Sequence, residues 1–346
     1  MSARAIFVIP GDLAAISGGY AYDRAVIAEA AALGAELAPL SLPGGWPHPT
    51  TADLDEAARR IAATAPDATL LVDGLALGAM PPDFVRGLNR RIVALVHHPL
   101  GLEAGLAPAR AAELIANERA VLALVDRIVV TSRHTAALLS TDFDAPFERI
   151  HVAEPGTAPA PRAQGGAGAP LRLLAVGSIL PRKGYMPLVE ALAGLRDLDW
   201  RLDVAGGFSD RDLLTALRAR LDALCLTDRV ALLGAVAGER LESLYAQADL
   251  FVMPSLYEGY GMALAEAMAR GLPIVATRAG AAADTAPDEA ALKVDPGDAP
   301  ALAGALRRVM MEHDLRARLA EASWRAGRTL PRWRDTARRV IEAIEA

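Results

Sequence analysis

Short runs of leucine and β-branched residues alternate with longer alanine-rich stretches of helical period along the chain. Strands that alternate with helices in this way form parallel sheets covered by helices on both faces. In the first half, strands are predicted at residues 5–10, 35–42, 68–74, 91–98, 127–132 and 149–156. The alternation restarts with strands predicted at 171–178, 200–207, 229–236, 249–255, 272–278 and 291–296. The sequence therefore predicts an α/β protein of two doubly wound, Rossmann-like domains.

The boundary between the two series is marked by composition. Residues 154–170, EPGTAPAPRAQGGAGAP, are rich in proline, glycine and alanine, which is typical of a linker. We predict an N-terminal domain over 1–160, a C-terminal domain over 161–330 and a last helix over 331–346 that packs back on the N-terminal domain. Ligands of doubly wound sheets bind beyond the carboxyl ends of the strands, so two such domains facing each other would form one deep cleft.

Charge and composition exclude several classes of partner. The net charge is −6, and neither the first 150 residues nor the remainder is net positive, which argues against nucleic-acid binding. No run of about 18 uncharged apolar residues occurs, so no transmembrane segment is predicted, whereas peripheral membrane contact stays open. Cys225 is the single cysteine, so an intrachain disulfide is excluded and a cytoplasmic location is predicted.

One loop combines two cations with a helix start. The chain has only two lysines, and one of them, Lys183, follows Arg182 in the loop GSILPRKG between a predicted strand and a predicted helix. Such cations can bind a diphosphate, because the helix N–H groups and dipole add to their charge. The alternative is a solvated Arg-Lys pair at an exposed turn. A G-x-G-x-x-G fingerprint is absent after the first strand, which argues against a nicotinamide dehydrogenase.

Two carboxylates flank a second strand-to-helix junction, SLYEGYGMALAEAMARG. Glu258 lies in the predicted loop, where Gly259 and Gly261 would let ligand oxygens approach backbone N–H groups. Glu266 lies in the predicted helix and could accept both hydroxyls of a ribose. Taken alone, Glu266 is more simply a solvated helix glutamate, because acids are favoured in the first turns of helices.

These segments together resemble a known family. The RKG loop, followed by GAVAGERLESLYAQADLFVMPSLYEGYGMALAEAMARGLPIVAT, resembles the retaining nucleotide-sugar glycosyltransferases of family 4, which have the GT-B fold. The resemblance is dense across 171–296 and weaker through SGGY (17–20), VHH (96–98) and VVTS (129–132). It implies transfer of a hexose from a UDP- or GDP-type sugar to an acceptor hydroxyl in carbohydrate biosynthesis, with retained configuration and without a metal or other cofactor.

The resemblance also implies residue roles. Arg182 and Lys183 would hold the donor diphosphate, Glu258 would meet the transferred sugar, and Glu266 would bind the donor ribose. His97 corresponds to the family's sugar-facing histidine and completes the implied catalytic set. The other implied donor-binding positions are Gly18, Gly19, Gly177, Gly206, Gly234, Val236, Gly259, Tyr260 and Gly261.

Two positions depart from the family pattern. Ser178 stands where the family commonly has arginine, which leaves open how firmly the diphosphate is held. The segment AGAAADTAP (279–287) replaces a loop that usually carries a Pro-Glu pair. Both departures could affect how the donor or the acceptor is bound.

Other interpretations stay open beside this one. Adjacent His97 and His98, with Glu103 nearby, suggest a metal site, but neighbouring strand residues point to opposite faces, so none is predicted. A non-catalytic GT-B protein that binds a partner and a related sugar-nucleotide epimerase are the alternative functions. The acceptor is unidentified and is a lipid, a glycan intermediate or a small metabolite.

Overall fold

A computed structural model describes residues 4–166, 168–208 and 210–346. The chain divides into two compact units. Unit 1 comprises Met1–Gly156 together with Pro331–Ala346, and unit 2 comprises Thr157–Leu330. Each unit contains one six-stranded sheet, and every paired strand is parallel to its neighbour. The predicted fold class, two doubly wound α/β domains, is confirmed.

The strands follow the predicted alternation closely. They are β1 (Arg4–Pro10), β2 (Glu36–Leu42), β3 (Thr69–Asp73), β4 (Ile92–Val96), β5 (Arg127–Val130), β6 (Ile150–Val152), β7 (Leu171–Val176), β8 (Trp200–Ala205), β9 (Val230–Gly234), β10 (Leu250–Met253), β11 (Ile274–Thr277) and β12 (Ala291–Val294). The central strand β4, IVALV, is buried throughout, as expected for a parallel sheet with both faces covered.

The helices occupy the intervals between the strands. They are α1 (Gly18–Ala32), α2 (Thr51–Ala62), α3 (Gly74–Leu77), α4 (Pro82–Gly87), α5 (Pro108–Leu122), α6 (Arg133–Asp142), α7 (Tyr185–Ala193), α8 (Arg211–Ala223), α9 (Gly238–Gln247), α10 (Met262–Ala269), α11 (Ala282–Thr285), α12 (Ala299–Met311), α13 (His313–Gly327) and α14 (Trp333–Glu345). The four-residue helices α3 and α11 were not predicted, because one turn carries no periodic signal.

The apolar period over residues 298–322 predicts one helix, and this prediction is wrong. Helix α12 ends at Met311 and α13 begins at His313, because Glu312 between them is extended (φ −90°, ψ 90°). The break lets α12 pack on β11 and α7, while α13 packs on α10. The apolar period continues through the break, so tertiary packing decides it.

The strand order of each sheet determines which loops lie together at its carboxyl edge. In unit 1 the order is β2-β1-β3-β4-β5-β6, and in unit 2 it is β12-β11-β10-β7-β8-β9. The loops after β1, β3 and β4 therefore share one carboxyl edge, and the loops after β7 and β10 share another. Such edges, where the strand order reverses, are where doubly wound sheets bind ligands.

The last helix, α14, belongs to unit 1. Its apolar stripe, Val340, Ala343 and Ile344, is buried, and the helix packs along α1. At its start the Thr336 hydroxyl donates to the Glu154 carbonyl at 2.7 Å.

Candidate active site

Two loops of unit 2 meet at the carboxyl edge of its sheet. The loop after β7 contains the PRKG segment, and the loop after the neighbouring strand β10 contains SLYEG. The Leu256 N–H donates to the Arg182 carbonyl at 2.6 Å, which ties the two loops together. Gly184 (φ +67°) makes the approach possible, because a Cβ there would lie 1.9 Å from the Pro254 carbonyl oxygen.

The contact places a lysine and a glutamate in one ion pair. Lys183 Nζ donates to Glu258 Oε1 at 2.6 Å, and Arg182 Nη1 lies 3.8 Å from Glu258 Oε2. The Ser255 hydroxyl donates to the same Oε1 at 2.6 Å. Burial would raise the pKa of Glu258, but the charges of Lys183 and then Arg182 outweigh it, so the pKa lies below its ordinary value. The carboxylate is therefore ionised at neutral pH and neutralises part of the positive charge.

The cations and the carboxylate implied by the family resemblance thus lie in direct contact. Their cluster carries two positive charges and one negative charge, and Glu258 lies in the loop that leads into α10. Its net charge favours an anion, while Glu258 can accept hydrogen bonds from hydroxyls. The arrangement can therefore hold a phosphate and a polyol next to each other.

Glu266 is held by a tyrosine on the neighbouring helix. Tyr245 on α9 donates its hydroxyl to Glu266 Oε2 at 2.7 Å. The Arg270 guanidinium lies 4.4 Å from the centre of the Tyr245 ring and also donates to the Glu266 carbonyl. Burial raises the pKa of Glu266 despite the Tyr245 hydrogen bond and the Arg270 charge. Glu266 is therefore an oriented, half-buried carboxylate rather than a fully solvated one.

Tyr245 is a residue that sequence reasoning missed. It is fully buried, and its ring stacks on Phe251 at 6.0 Å between centroids. In the sequence it is one apolar position of an amphipathic helix, so nothing marks its hydroxyl as the partner of a carboxylate 21 residues away.

The glycines at the strand ends allow close backbone approaches. A Cβ on Gly206 would lie 1.8 Å from the Gly177 carbonyl oxygen, and the Tyr185 hydroxyl donates to that same oxygen at 2.6 Å. Gly234 (φ +71°), at the end of β9, faces the ring of Phe208, and Val236 is buried just beyond it.

Residues 279–287 form hydrogen bonds with the backbone of the segment around Glu258. The Ala281 N–H donates to the Glu258 carbonyl at 3.0 Å, and the Thr285 hydroxyl donates to the Tyr260 carbonyl at 2.6 Å. Gly259 is half-buried, and Gly261 (φ +93°) directly precedes α10. The segment that departs from the family pattern therefore fixes the backbone of the implied sugar-binding loop.

The second lysine holds that supporting segment in place. The side chain of Lys293 is 3% exposed and donates to the carbonyls of Ala283 and Ala286 at 2.7 and 2.8 Å. Asp288 Oδ1 lies 2.7 Å from the same ammonium group. Lys293 therefore has a structural environment at the back of this loop.

In unit 1, His97 follows β4 and lies against the start of α1. A Cβ on Gly19 would lie 3.6 Å from His97 Cδ2, whereas none of the neighbouring atoms comes within 4 Å of a Cβ on Gly18. His97 Nε2 lies 3.3 Å from Asp23 Oδ1 and 3.6 Å from Asp73 Oδ2. Sequence reasoning missed both acids, although Asp73 ends a strand.

Metal ligation requires converging donor atoms. Within the described part of the chain, one set of three, from Asp23, Asp73 and His97, lies within 4.8 Å of one another. Of these acids, Asp23 lies within hydrogen-bond distance of His97 Nε2, at 3.3 Å, and Asp73 Oδ2 lies 3.6 Å from the same nitrogen. The set considered from the sequence is looser, with 3.9 Å between His98 Nε2 and Glu103 Oε2.

Comparisons with known proteins bear on the family and the fold of the chain. Residues 160–325 match the family described as "Glycosyl transferases group 1". The D-inositol 3-phosphate glycosyltransferase of Salinispora tropica is 34% identical over 266 residues, covering 70% of this chain and 55% of that relative. The chain therefore spans about half the length of such curated relatives.

Solved structures show the same fold. The sucrose-phosphate synthase from Thermosynechococcus elongatus superposes with a TM-score of 0.82 at 22% identity, covering 98% of this chain and 97% of that one. Anabaena Alr3699/HepE in complex with UDP and glucose superposes with a TM-score of 0.78 at 16% identity, covering 100% of each chain. The fold is the GT-B fold of these proteins. Across the described residues, each helix is too short or too polar to cross a lipid bilayer.

Proposed function

Residues 160–325 are a glycosyl transferases group 1 domain, and from this premise we propose that the protein moves a hexose from a nucleoside diphosphate sugar to an acceptor hydroxyl. The observation that carries the proposal is the cluster of Lys183, Arg182 and Glu258, formed by the loops that precede α7 and α10. Glu266, four residues into that helix, adds a carboxylate for the donor ribose.

The cluster suits the charge changes of glycosyl transfer. Cleavage of the anomeric bond builds negative charge on the departing phosphate, which Lys183 and Arg182 would stabilise more strongly than the ground state. Glu258 would accept hydrogen bonds from the sugar hydroxyls beside that phosphate. Since these side chains supply the positive charge, we propose a reaction that needs no metal ion.

The finer features of the proposal depend on the family resemblance. An acceptor hydroxyl would attack from the face that the phosphate leaves and pass its proton to that phosphate, which retains the anomeric configuration. Because Anabaena Alr3699/HepE was solved with UDP and glucose, UDP-glucose is the first donor to test here. We place the reaction in the cytoplasm, with a lipid, a glycan intermediate or a small metabolite as acceptor.

A panel of UDP-, GDP- and ADP-sugars, assayed with and without candidate acceptors, tests the proposal. Lys183→Ala and Glu266→Ala should each lower donor turnover about 100-fold or more, because each removes a charged contact to the donor. Arg201→Ala is the matched control, since Arg201 is an exposed cation at the amino end of β8. Near-normal hydrolysis and transfer in both variants would refute the assignment.

The panel also separates the two alternatives. A non-catalytic protein would turn over none of the sugars, with or without acceptor. An epimerase would convert one nucleotide sugar into its isomer without any acceptor and would release no free nucleotide.

A further inference from the structure

Two buried carboxylates flank His97 in unit 1. Asp23, on α1, is fully buried, and Asp73, at the end of β3, is 4% exposed. The His97 side chain is more open, with 23% exposed. One edge of the ring is thus enclosed by acids while part of the ring stays accessible.

Such acids need compensation, because an ionised carboxylate without a partner is costly to bury. Asp73 Oδ1 accepts the Leu75 N–H at 2.7 Å, which leaves Oδ2 directed at the histidine. Asp23 Oδ2 has no hydrogen-bond partner among the described residues, so the contact of its Oδ1 with His97 Nε2 is the main compensation for Asp23. His97 therefore helps to compensate both buried carboxylates, and the two carboxylates in turn restrict the orientation of its ring.

Packing restricts the ring further. The Tyr22 ring meets the His97 ring edge-on, with 5.0 Å between centroids and an angle of 82° between planes. Gly19 lies beside the Cδ2 edge, where a Cβ would be 3.6 Å from Cδ2, within van der Waals contact. The orientation of the ring is therefore determined by contacts from α1 as well as by the two acids.

We propose that Asp23 and Asp73 are positioning residues that hold His97 as an oriented imidazolium. Asp23 accepts the Nε2–H, and Asp73 Oδ2, at the end of β3, lies 3.6 Å from the same nitrogen and adds a second negative charge when it is ionised. This inference rests on the proposed function and on the family resemblance, which implies that His97 faces the transferred sugar. The charged ring would donate to an oxygen of the donor, and the acids would keep it charged to higher pH.

The electrostatics agree with the geometry. Burial lowers the pKa of His97, but the hydrogen bond and charge of Asp23 and the charge of Asp73 outweigh it and raise the pKa. Burial and the Asp23 charge raise the pKa of Asp73 to about 7, against the His97 charge and the Leu75 N–H. Tyr20 and Tyr22, the other titratable groups of α1 near the cluster, have raised pKa values, mainly through burial, and stay neutral.

Titration of the His97 ring by NMR tests the proposal directly. The signal is assigned by its loss in His97→Asn, and spectra are compared for wild type, Asp23→Asn and Asp73→Asn. Asp67→Asn, at an exposed turn, is the matched control. In Asp23→Asn the hydrogen-bond acceptor is kept but the charge is lost, so the ring pKa should fall, and Asp73→Asn should lower it as well.

Kinetics provide the second measurement. In Asp23→Asn the alkaline limb of kcat/KM should move to lower pH, with roughly a tenfold loss at pH 8, because a hydrogen bond from a charged group weakens. An unchanged ring titration in both variants overturns the proposal, whatever the activity. If Asp23→Asn does not fold, Asp73→Asn alone decides.

Two further outcomes can be told apart: failure of the proposed function, and metal binding by the cluster. A wild-type protein that transfers no sugar would refute the proposed function, while the ring titration still decides the positioning role. Stoichiometric Zn²⁺ retained after dialysis by wild type but not by Asp23→Asn would make the cluster a metal site and overturn the proposal.

Discussion

Replacing Lys183 with methionine tests the central ion pair of the candidate site. The substitution keeps the length of the side chain but removes the ammonium group that donates to Glu258 at 2.6 Å. Glu258 is 5% exposed, so its charge would remain buried with a weaker set of partners. Those partners are the Ser255 hydroxyl and Arg182 at 3.8 Å.

The magnitude follows from burial. Removing one partner of a buried ion pair costs about 3–5 kcal/mol. Since Arg182 and Ser255 remain, we expect the lower end, about 3 kcal/mol, which is a large part of a typical domain stability of about 5–15 kcal/mol.

The pH dependence should change sign. In wild type the pKa of Glu258 is lowered, so its contribution to stability is present above the unfolded pKa and is lost as the pH falls through the folded value. Burial is already the largest single influence on this pKa, and without Lys183 it should outweigh Arg182 and Ser255 and raise the pKa. The variant should therefore lose stability as the pH rises, most of it above the ordinary pKa of a glutamate.

Urea unfolding followed by hydrogen-exchange mass spectrometry measures the effect on unit 2 separately from unit 1. Adding Glu258→Gln to Lys183→Met should recover part of the stability, because the unpaired charge is then gone. Arg201→Met, an exposed cation in the same unit, is the control. If Lys183→Met is as stable as wild type at pH 8, or if Glu258→Gln destabilises it further, the ion-pair reasoning is wrong.

Two other predictions concern single residues. Gly184→Ala should destabilise unit 2 by about 2 kcal/mol or more, because a positive φ and a 1.9 Å approach to Pro254 coincide there. Gly238→Ala, with φ +57° and open space around its Cβ, should cost only about 1 kcal/mol, and equal urea midpoints for the two would contradict this. Burial raises the pKa of Glu118 to about 7 against two backbone N–H bonds, so wild-type stability should fall as the pH rises from about 4.5 through 7. Glu118→Gln should flatten that fall, which amounts to about 3 kcal/mol, and parallel curves of Tm against pH would count against it.

Local sequence signals predicted most of the fold. The strand-helix alternation predicted two parallel sheets because buried strands and amphipathic helices have different apolar periods. Where the structure differs, the element is a single turn, as in α3 and α11, or its end is set by packing, as at Glu312.

The motif residues of the candidate site were also visible in the sequence, but their contacts were not. Lys183 and Glu258 are 75 residues apart, and they meet because β7 and β10 are neighbours in the sheet. Tyr245 looked like a core residue, and its bond to Glu266 depends on how α9 and α10 pack.

The sequence by itself determined the architecture and the residue types of the site, since periodicity, linkers and loop motifs are properties of neighbours along the chain. Tertiary structure decided the environment of each charge. It paired Glu258 with Lys183, gave Lys293 a structural role and buried Asp23 and Asp73 around His97. The physical reason is that ionisation and hydrogen bonding depend on burial and on distances of a few ångströms, which the strand order brings about between residues far apart in sequence.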